Sequence, residues 1–417
     1  MKVNGRISMP GDKSISHRAI MLGAICKGKS TIYNIPNSKD ILATINCLKL
    51  CGVDIKRTEN KIVIQGGFSS NVDNVLDCKN SGTTARLLLG LLSAENIAAS
   101  LYGDQSLSKR PMGRVIDPLQ QMGANIISNN KKLPIDIKGS KLKKIDYSIP
   151  IPSAQVKSSI IFAALGAQGT SKIRGCIQTR DHLEKMLSYV SSEGLIFNDD
   201  YIEINPNKII INEFTMDIPG DISSASFFIA LACLLKGSKL IIENLILNKY
   251  RMGFVETLKS MGANIVISDS RIEFNELVGT ITVIGDRVLS PCVVSPSTIP
   301  SMIDEIPILA LLCSHISGIS IIDGLGELKY KESDRYSEII QILSKMGVNI
   351  KEYKKEGYKI KGENKLYNTN KIDCKGDHRL AMMVSIAQIL SKNKVCYDKC
   401  IHISFPSFEL MIKELLN

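Results

Sequence analysis

Leu119-Gln120-Gln121-Met122-Gly123-Ala124-Asn125-Ile126 reads as the last turn of a helix, a glycine that ends it, and the opening of a strand. Glycine enters the left-handed region without steric cost, so it is the favoured residue just past a helix end. The same grammar returns at Leu48 to Ile55, Leu258 to Ile265 and Leu343 to Ile350, with a weaker copy at Glu193-Gly194-Leu195-Ile196. The copies lie about 70 residues apart, drifting to about 85 in the last interval, so one α/β unit has been copied several times. A longer similarity divides the chain. Pro10-Gly11-Asp12-Lys13-Ser14-Ile15-Ser16 and Pro219-Gly220-Asp221-Ile222-Ser223-Ser224 each combine a Pro-Gly turn with helix-capping Asp and Ser. We therefore expect two related lobes, residues 11–218 and residues 1–10 plus 219–417, with crossings near 10–11 and 218–220 and the N-terminal strand joined to the second lobe. A chain of 417 residues suits two domains.

Composition narrows the function classes. Hydrophobic residues make up 44% and charged residues 22%, the balance of a packed globular chain. The excess of 52 Lys+Arg over 41 Asp+Glu, a net charge of +11, points to anionic partners. With no Trp and 5% aromatics, the stacking surfaces of a single-strand nucleic-acid binder are thin, so small acidic metabolites are favoured over nucleic acid. The start, Met1-Lys2-Val3-Asn4-Gly5-Arg6, lacks the apolar run of a secretory signal, and Ile306 to Ile322 is broken by Pro307, His315 and Gly318, which excludes a membrane span there. A cytoplasmic protein is expected. The eleven cysteines are scattered, and the close pairs Cys47/Cys51 and Cys396/Cys400 lack the further ligands of a zinc site; reduced, mostly buried thiols are expected.

Four basic or small polar segments fall at predicted helix starts: Lys13 to Arg18, Asn80 to Arg86, Lys331 to Arg335 and Gly376 to Arg379. A helix N-terminus presents unpaired N–H groups and the positive end of a dipole, worth roughly 0.3–1 kcal/mol to an exposed anion. Charge-assisted hydrogen bonds from Lys or Arg add about 1.5–3 kcal/mol each, so several such segments could together hold a phosphate and a carboxylate. Gly82, in a helix start, is most useful where a ligand approaches the backbone. Asp304 and Glu332 are carboxylates set among cations, the pairing that acid/base chemistry on an anionic substrate requires and that simple ion pairs also display. No HExxH, GxSxG or Walker-type phosphate loop is present, so metalloprotease, serine hydrolase and ATPase readings gain no support.

These four segments lie among eight strings: PGDKSISHRA (Pro10 to Ala19), NSGTTARLL (Asn80 to Leu88), SLSKRPMGRVIDPL (Ser106 to Leu119), SAQVKSS (Ser153 to Ser159), RDHLEKML (Arg180 to Leu187), IDEIPILAL (Ile303 to Leu311), KESDR (Lys331 to Arg335) and GDHRLAM (Gly376 to Met382). In that order, and over essentially the whole chain, they resemble the 5-enolpyruvylshikimate-3-phosphate synthases, the shikimate-pathway transferases of aromatic amino-acid biosynthesis and the targets of glyphosate. The resemblance implies an α/β fold of two similar domains, each of three βαβαββ repeats with helices packed inward, and an active site in the interdomain cleft. It implies transfer of the enolpyruvyl group of phosphoenolpyruvate to the 5-hydroxyl of shikimate-3-phosphate, by addition and then elimination of phosphate. No cofactor and no metal are implied, the partners being the two metabolites alone, and a monomer is expected.

Site roles carry over by the same resemblance. Lys13, Asp304 and Glu332 are the expected catalytic residues. Shikimate-3-phosphate falls to Lys13, Ser14, Arg18, Ser153, Ala154, Gln155, Thr179, Asp304 and Lys331, which makes 11–218 its binding lobe. Phosphoenolpyruvate falls to Lys13, Gly82, Arg110, Gln155, Arg335 and Arg379. Asn80, His182 and His378 are further candidates. Three positions depart from the family pattern: Ala154 stands where some members have serine, His182 where some have tyrosine, and Ile403 where some carry a lysine for phosphoenolpyruvate. Two alternatives stay open, the enolpyruvyl transferase acting on UDP-N-acetylglucosamine and a non-catalytic nucleic-acid-binding repeat protein. The first typically has Asn-Ala-Ala after its lysine and a loop cysteine, whereas here Lys13 precedes Ser-Ile-Ser-His-Arg and Gln105 to Pro111 contains no Cys.

Overall fold

A computed structural model describes residues 1–69, 74–95, 97–191, 193–363, 371–391, 395, 397–398 and 400–416. The chain forms two compact units, one of Gly11–Ile218 with Glu273–Glu276, the other of Met1–Pro10, Pro219–Ile272 and Leu277–Asn417. The first differs from the expected 11–218 lobe by four residues taken from the C-terminal half. Glu276 is buried there against His182 and Lys185, and Phe274 meets the ring of Tyr189 edge-on.

In the 11–218 unit the helices are α1 (Lys13–Ile25), α2 (Lys39–Leu50), α3 (Gly82–Ala94), α4 (Gly113–Gln121), α5 (Ala154–Leu165) and α6 (His182–Val190). Three four-stranded sheets accompany them, all with one pattern: a parallel pair, then two antiparallel neighbours. In the first, Thr215–Asp217 runs parallel to Lys29–Tyr33, which pairs antiparallel with Lys61–Gln65 and through it with Asp54–Arg57. Its register sets Ile32 opposite both Met216 and Ile62, all buried, while the alternating neighbours face outward. Asn74–Asp77, Ala98–Tyr102, Lys132–Lys138 and Asn125–Asn129 repeat the arrangement, as do Asp146–Ile149, Ser171–Gly175, Tyr201–Ile204 and Leu195–Phe197.

The other unit holds α7 (Ile222–Leu234), α8 (Gly253–Ser260), α9 (Ile306–Ser314), α10 (Arg335–Lys345), α11 (His378–Ser391) and α12 (Phe408–Leu415). Asn4–Ser8 runs parallel to Lys239–Ile246, which continues through Glu276–Ile284 to Asn264–Glu273. Val293–Val294, Gly318–Ile322, Gly357–Gly362 and Asn349–Tyr353 form the second sheet. Where the repeat spacing puts a third, residues 364–370 and 392–394 lie outside the described residues, as does Cys396.

Gly52, Gly123, Gly194, Gly262 and Gly347 have φ between +83° and +95°, the left-handed turn that the repeated Leu-x-x-x-Gly signature encodes. Helices α3, α5, α7, α9 and α11 are apolar around most of their circumference and buried on nearly all faces, whereas α4, α6 and α10 keep a polar side. Helices α3 and α5 meet so closely at Gly90 that an added Cβ would lie 2.0 Å from the Ser159 carbonyl oxygen. The ten described cysteines are free thiols, nine of them buried. No helix among the described residues is long and apolar enough to cross a membrane.

Candidate active site

Each predicted anion-facing segment opens a capped helix. Asp12 accepts from Ile15 N at 2.8 Å to start α1 at Lys13, Ser81 accepts from Thr84 N at 3.2 Å to start α3 at Gly82, and Ser153 accepts from Val156 N at 3.4 Å to start α5 at Ala154. Asp221 caps α7, Asp334 caps α10 at Arg335, and Asp377 accepts from Arg379 N at 2.9 Å at the start of α11. Short polar side chains cap because their oxygen replaces the missing intrahelical acceptor, at about 1 kcal/mol per helix. Consequently the cations one to six residues beyond each cap are fixed near a helix tip.

Within the 11–218 unit the structure brings Lys13, Ser14, Arg18, Ser153 and Ala154 together. Lys13 pairs with Asp40 at 2.8 Å. Arg18, only 2% exposed, donates to the Ser14 hydroxyl at 2.7 Å and carbonyl at 2.9 Å, to Ser158 Oγ at 2.9 and 3.1 Å, and to the Ala154 carbonyl at 3.3 Å. A guanidinium so gripped keeps a fixed direction. A second set surrounds Gly82. Arg110 donates to Asn80 Oδ1 at 2.6 Å and Ser106 at 3.3 Å, while Arg86 donates to Gln155 Oε1 at 2.7 Å and Gln155 in turn donates to Thr83 at 2.9 Å. A Cβ on Gly82 would lie 2.9 Å from an Arg86 nitrogen and 3.3 Å from an Arg110 nitrogen, so the glycine leaves room for both. Thr179 is buried, and its carbonyl accepts from Lys157 Nζ at 3.1 Å; the same ammonium reaches the Ile177 carbonyl at 2.9 Å and Glu184 at 2.7 Å.

His182, a further candidate, is the first residue of α6. Its ring is fully buried, and Nδ1 lies 2.5 Å from Glu276 Oε1, whose other oxygen accepts from Lys185 at 2.9 Å. Imidazole in place of tyrosine has been turned into an internal pair. Asp181, His182 and Glu276 could together contact one metal ion, but the Lys185 ammonium, 2.9 Å from Glu276 and 3.7 Å from Asp181, already supplies the positive charge.

The other unit gathers Asp304, Lys331, Glu332, Arg335 and Arg379. Arg335, 1% exposed, makes a two-pronged contact with Asp377, Nε to Oδ2 at 2.7 Å and a terminal nitrogen to Oδ1 at 3.2 Å. The same guanidinium contacts Glu332 and reaches Asp304 at 3.4 Å, and Lys331 donates to Asp304 at 3.2 Å. Burial alone would depress the Arg335 pKa, but the carboxylates of Asp377, Glu332 and Asp304 outweigh it and push it higher still. Asp304 and Glu332 therefore stand on one cation while retaining partial exposure. Arg379 donates to the Ser223 carbonyl at 2.8 Å with its guanidinium over Phe227, and buried Arg251 holds the Ser223 hydroxyl at 2.8 Å. Beside Asp304, burial first and the neighbouring carboxylate second raise the pKa of Glu305, against the lowering pull of Arg379 and Arg251. His378 is buried at the first position of α11.

Sequence reasoning assigned no site role to Asp40, Arg86, Ser158, Asp377 or Arg251. Three of them, Arg86, Ser158 and Asp377, lie inside the quoted motif strings, but their partners come from distant segments, 69, 140 and 42 residues away.

Known proteins resemble this chain over nearly its whole length. The family profile described as EPSP synthase (3-phosphoshikimate 1-carboxyvinyltransferase) matches residues 1–412. Curated relatives named 3-phosphoshikimate 1-carboxyvinyltransferase include one from Caldicellulosiruptor saccharolyticus, 42% identical over 415 residues, and one from Caldicellulosiruptor bescii, 44% identical over 417. Each alignment covers 98% of this chain and 95% of the relative. A solved EPSP synthase from Acinetobacter baumannii superposes with a TM-score of 0.86 at 33% identity, covering 99% of this chain and 96% of that one. With profile, sequence and fold agreeing from end to end, this chain belongs to the EPSP synthase family.

Proposed function

We propose that the protein transfers the enolpyruvyl group of phosphoenolpyruvate to the 5-hydroxyl of shikimate-3-phosphate, releasing phosphate. The observation that carries the chemical part is the cluster on Arg335. Two carboxylates, Asp304 and Glu332, share one buried guanidinium that Asp377 fixes in plane. In this reading Asp304 accepts the proton of the attacking hydroxyl as its oxygen bonds to the central carbon of phosphoenolpyruvate, and Glu332 delivers a proton to the methylene carbon. Phosphate then leaves the tetrahedral adduct as the new methyl group gives a proton back. Phosphoenolpyruvate supplies its own carboxylate for Arg335, which releases Glu332 from its ion pair at the moment it is needed.

Cations and small polar residues contribute the anion-holding part. Arg18, Ser14, Ser153 and Thr179 are assigned to shikimate-3-phosphate, the carbonyl-anchored Arg379 with Arg110 and the Gly82 backbone to phosphoenolpyruvate, and Lys13 to both. Lysine suits the shared role because its charge is compact and its three donors rotate. Ala154 has no hydroxyl to offer, so Ser153 carries that part of the phosphate contact. We further place the enzyme in the cytoplasm as a monomer acting on these two metabolites, without nucleic acid or membrane.

Phosphate release from phosphoenolpyruvate tests the reading. It should require shikimate-3-phosphate and should not occur with UDP-N-acetylglucosamine; release with the UDP sugar alone would overturn the assignment. Nucleic-acid binding that falls by orders of magnitude between about 50 and 200 mM salt, without any turnover, would favour the binding-protein alternative.

A further inference from the structure

A chain of buried side chains in the 11–218 unit leads away from the Ser81 cap and is not used by the proposed reaction. His17 Nδ1 lies 2.7 Å from Thr44 Oγ1, Thr44 Oγ1 2.7 Å from Thr84 Oγ1, and Thr84 Oγ1 2.7 Å from Ser81 Oγ. His17, Thr44 and Thr84 are completely buried and Ser81 nearly so. The four residues join α1, α2, α3 and the cap of α3. One end stands one helical turn from Lys13 and beside Arg18, while the other sets the tip of α3 at Gly82.

Apolar residues of the same size would fill this space without the cost of desolvating four polar groups, so packing does not account for them. The chain also has a direction. His17 Nε2 is buried without a hydrogen-bond partner, and an orphaned N–H costs more there than an orphaned lone pair. The ring proton therefore belongs on Nδ1 and is donated to Thr44, whose hydroxyl donates to Thr84, whose hydroxyl donates to Ser81 at 2.7 Å, with the Asp40 carbonyl a longer second acceptor at 3.4 Å. Ser81 Oγ also accepts from Thr84 N and so caps α3.

We propose that His17, Thr44, Thr84 and Ser81 form a one-way hydrogen-bond relay that sets the tip of α3, with Gly82, against the tip of α1, with Lys13 and Arg18. His17 and Thr44 are then positioning residues. The kinetic part of this inference rests on the proposed function; the relay itself does not.

Thr44→Val keeps the shape and removes the hydroxyl, whereas Thr44→Ser keeps the hydroxyl and leaves a methyl-sized void. Kinetics and stability should consequently separate. In Thr44→Val, kcat/KM should fall about tenfold or more with KM raised for both metabolites. In Thr44→Ser, kcat/KM should stay near wild type despite a lower Tm. Amide exchange at residues 13–18 and 82–86 should speed up in Thr44→Val alone. Wild-type exchange in Thr44→Val, or a kinetic loss in Thr44→Ser equal to that in Thr44→Val, would overturn the relay. If Thr44→Val does not fold, nitrogen NMR of the wild-type His17 ring decides: a neutral ring protonated on Nδ1 supports the relay, one protonated on Nε2 ends it. Should wild type itself fail to turn over the two metabolites, the functional reading falls, while exchange and the ring tautomer still judge the relay.

Discussion

Arg18 and Arg335 are both buried arginines near a helix tip, yet they are held by opposite chemistry. Hydroxyls and carbonyls from Ser14, Ala154 and Ser158 grip Arg18, while the carboxylates of Asp377, Glu332 and Asp304 grip Arg335. A dipolar acceptor fixes a guanidinium without cancelling its charge. A carboxylate does both. These contacts that orient Arg18 are thus dipolar, whereas those that orient Arg335 are ionic.

The sharpest way to break this contrast is to remove one grip from each side. Asp377→Ala leaves Arg335 with a buried charge that has lost its two-pronged partner, and stability should fall by about 3–5 kcal/mol. Ser158→Ala takes one hydroxyl from Arg18 and should cost about 1.5–3 kcal/mol at most, since water or substrate can replace it. Urea unfolding of both variants checks the order. Equal losses would mean the two guanidiniums are held alike.

Turnover sharpens it further. Lys13→Ala and Glu332→Gln should each lower kcat at least tenfold, about 1.4 kcal/mol or more in the barrier, with urea midpoints close to wild type. Steady-state phosphate release measures this, and unchanged rates in both variants would remove the assigned site. A smaller effect is expected at Gly82. Gly82→Ala puts a methyl 2.9 Å from Arg86 and 3.3 Å from Arg110, whose side-chain ends can shift by a few tenths of an ångström. Inhibition by glyphosate should weaken more than phosphoenolpyruvate binding does; an unchanged inhibition constant would make Gly82 only a helix start.

What the sequence made legible was local. Capping side chains lie within three residues of the N–H groups they satisfy, and the glycine after each repeat helix needs only its own backbone angle, so helix starts and the repeat could be read directly. The grips were not legible. Ser158 lies 140 residues from Arg18 and Asp377 42 from Arg335, and nothing in a one-dimensional string pairs them. His182 shows the same limit from the other side. It occupied a promising position in a motif, but Glu276, 94 residues away, draws its ring into the interior.

The relay through His17 supplies the smallest and most specific test of the contrast, because it puts a titratable ring beside Arg18, whose acceptors named above are uncharged. Burial above all, helped by the charges of Lys13 and Arg18 and opposed by Asp40 and Asp12, lowers the His17 pKa from 6.5 to about 3. Above pH 6.5 the ring is neutral in both folded and unfolded chains and contributes no pH dependence. Between 6.5 and about 3 the unfolded chain binds a proton that the folded chain refuses, so stability falls as pH falls, by up to tenfold in the folding equilibrium per pH unit. His17→Asn can still donate to Thr44 but cannot titrate. The stability advantage of wild type over His17→Asn should therefore be constant from pH 7 to 8 and shrink steadily below 6.5, read as the difference in urea midpoints. A constant difference down to pH 5 would show that folded His17 takes up its proton normally, which a sealed relay does not allow.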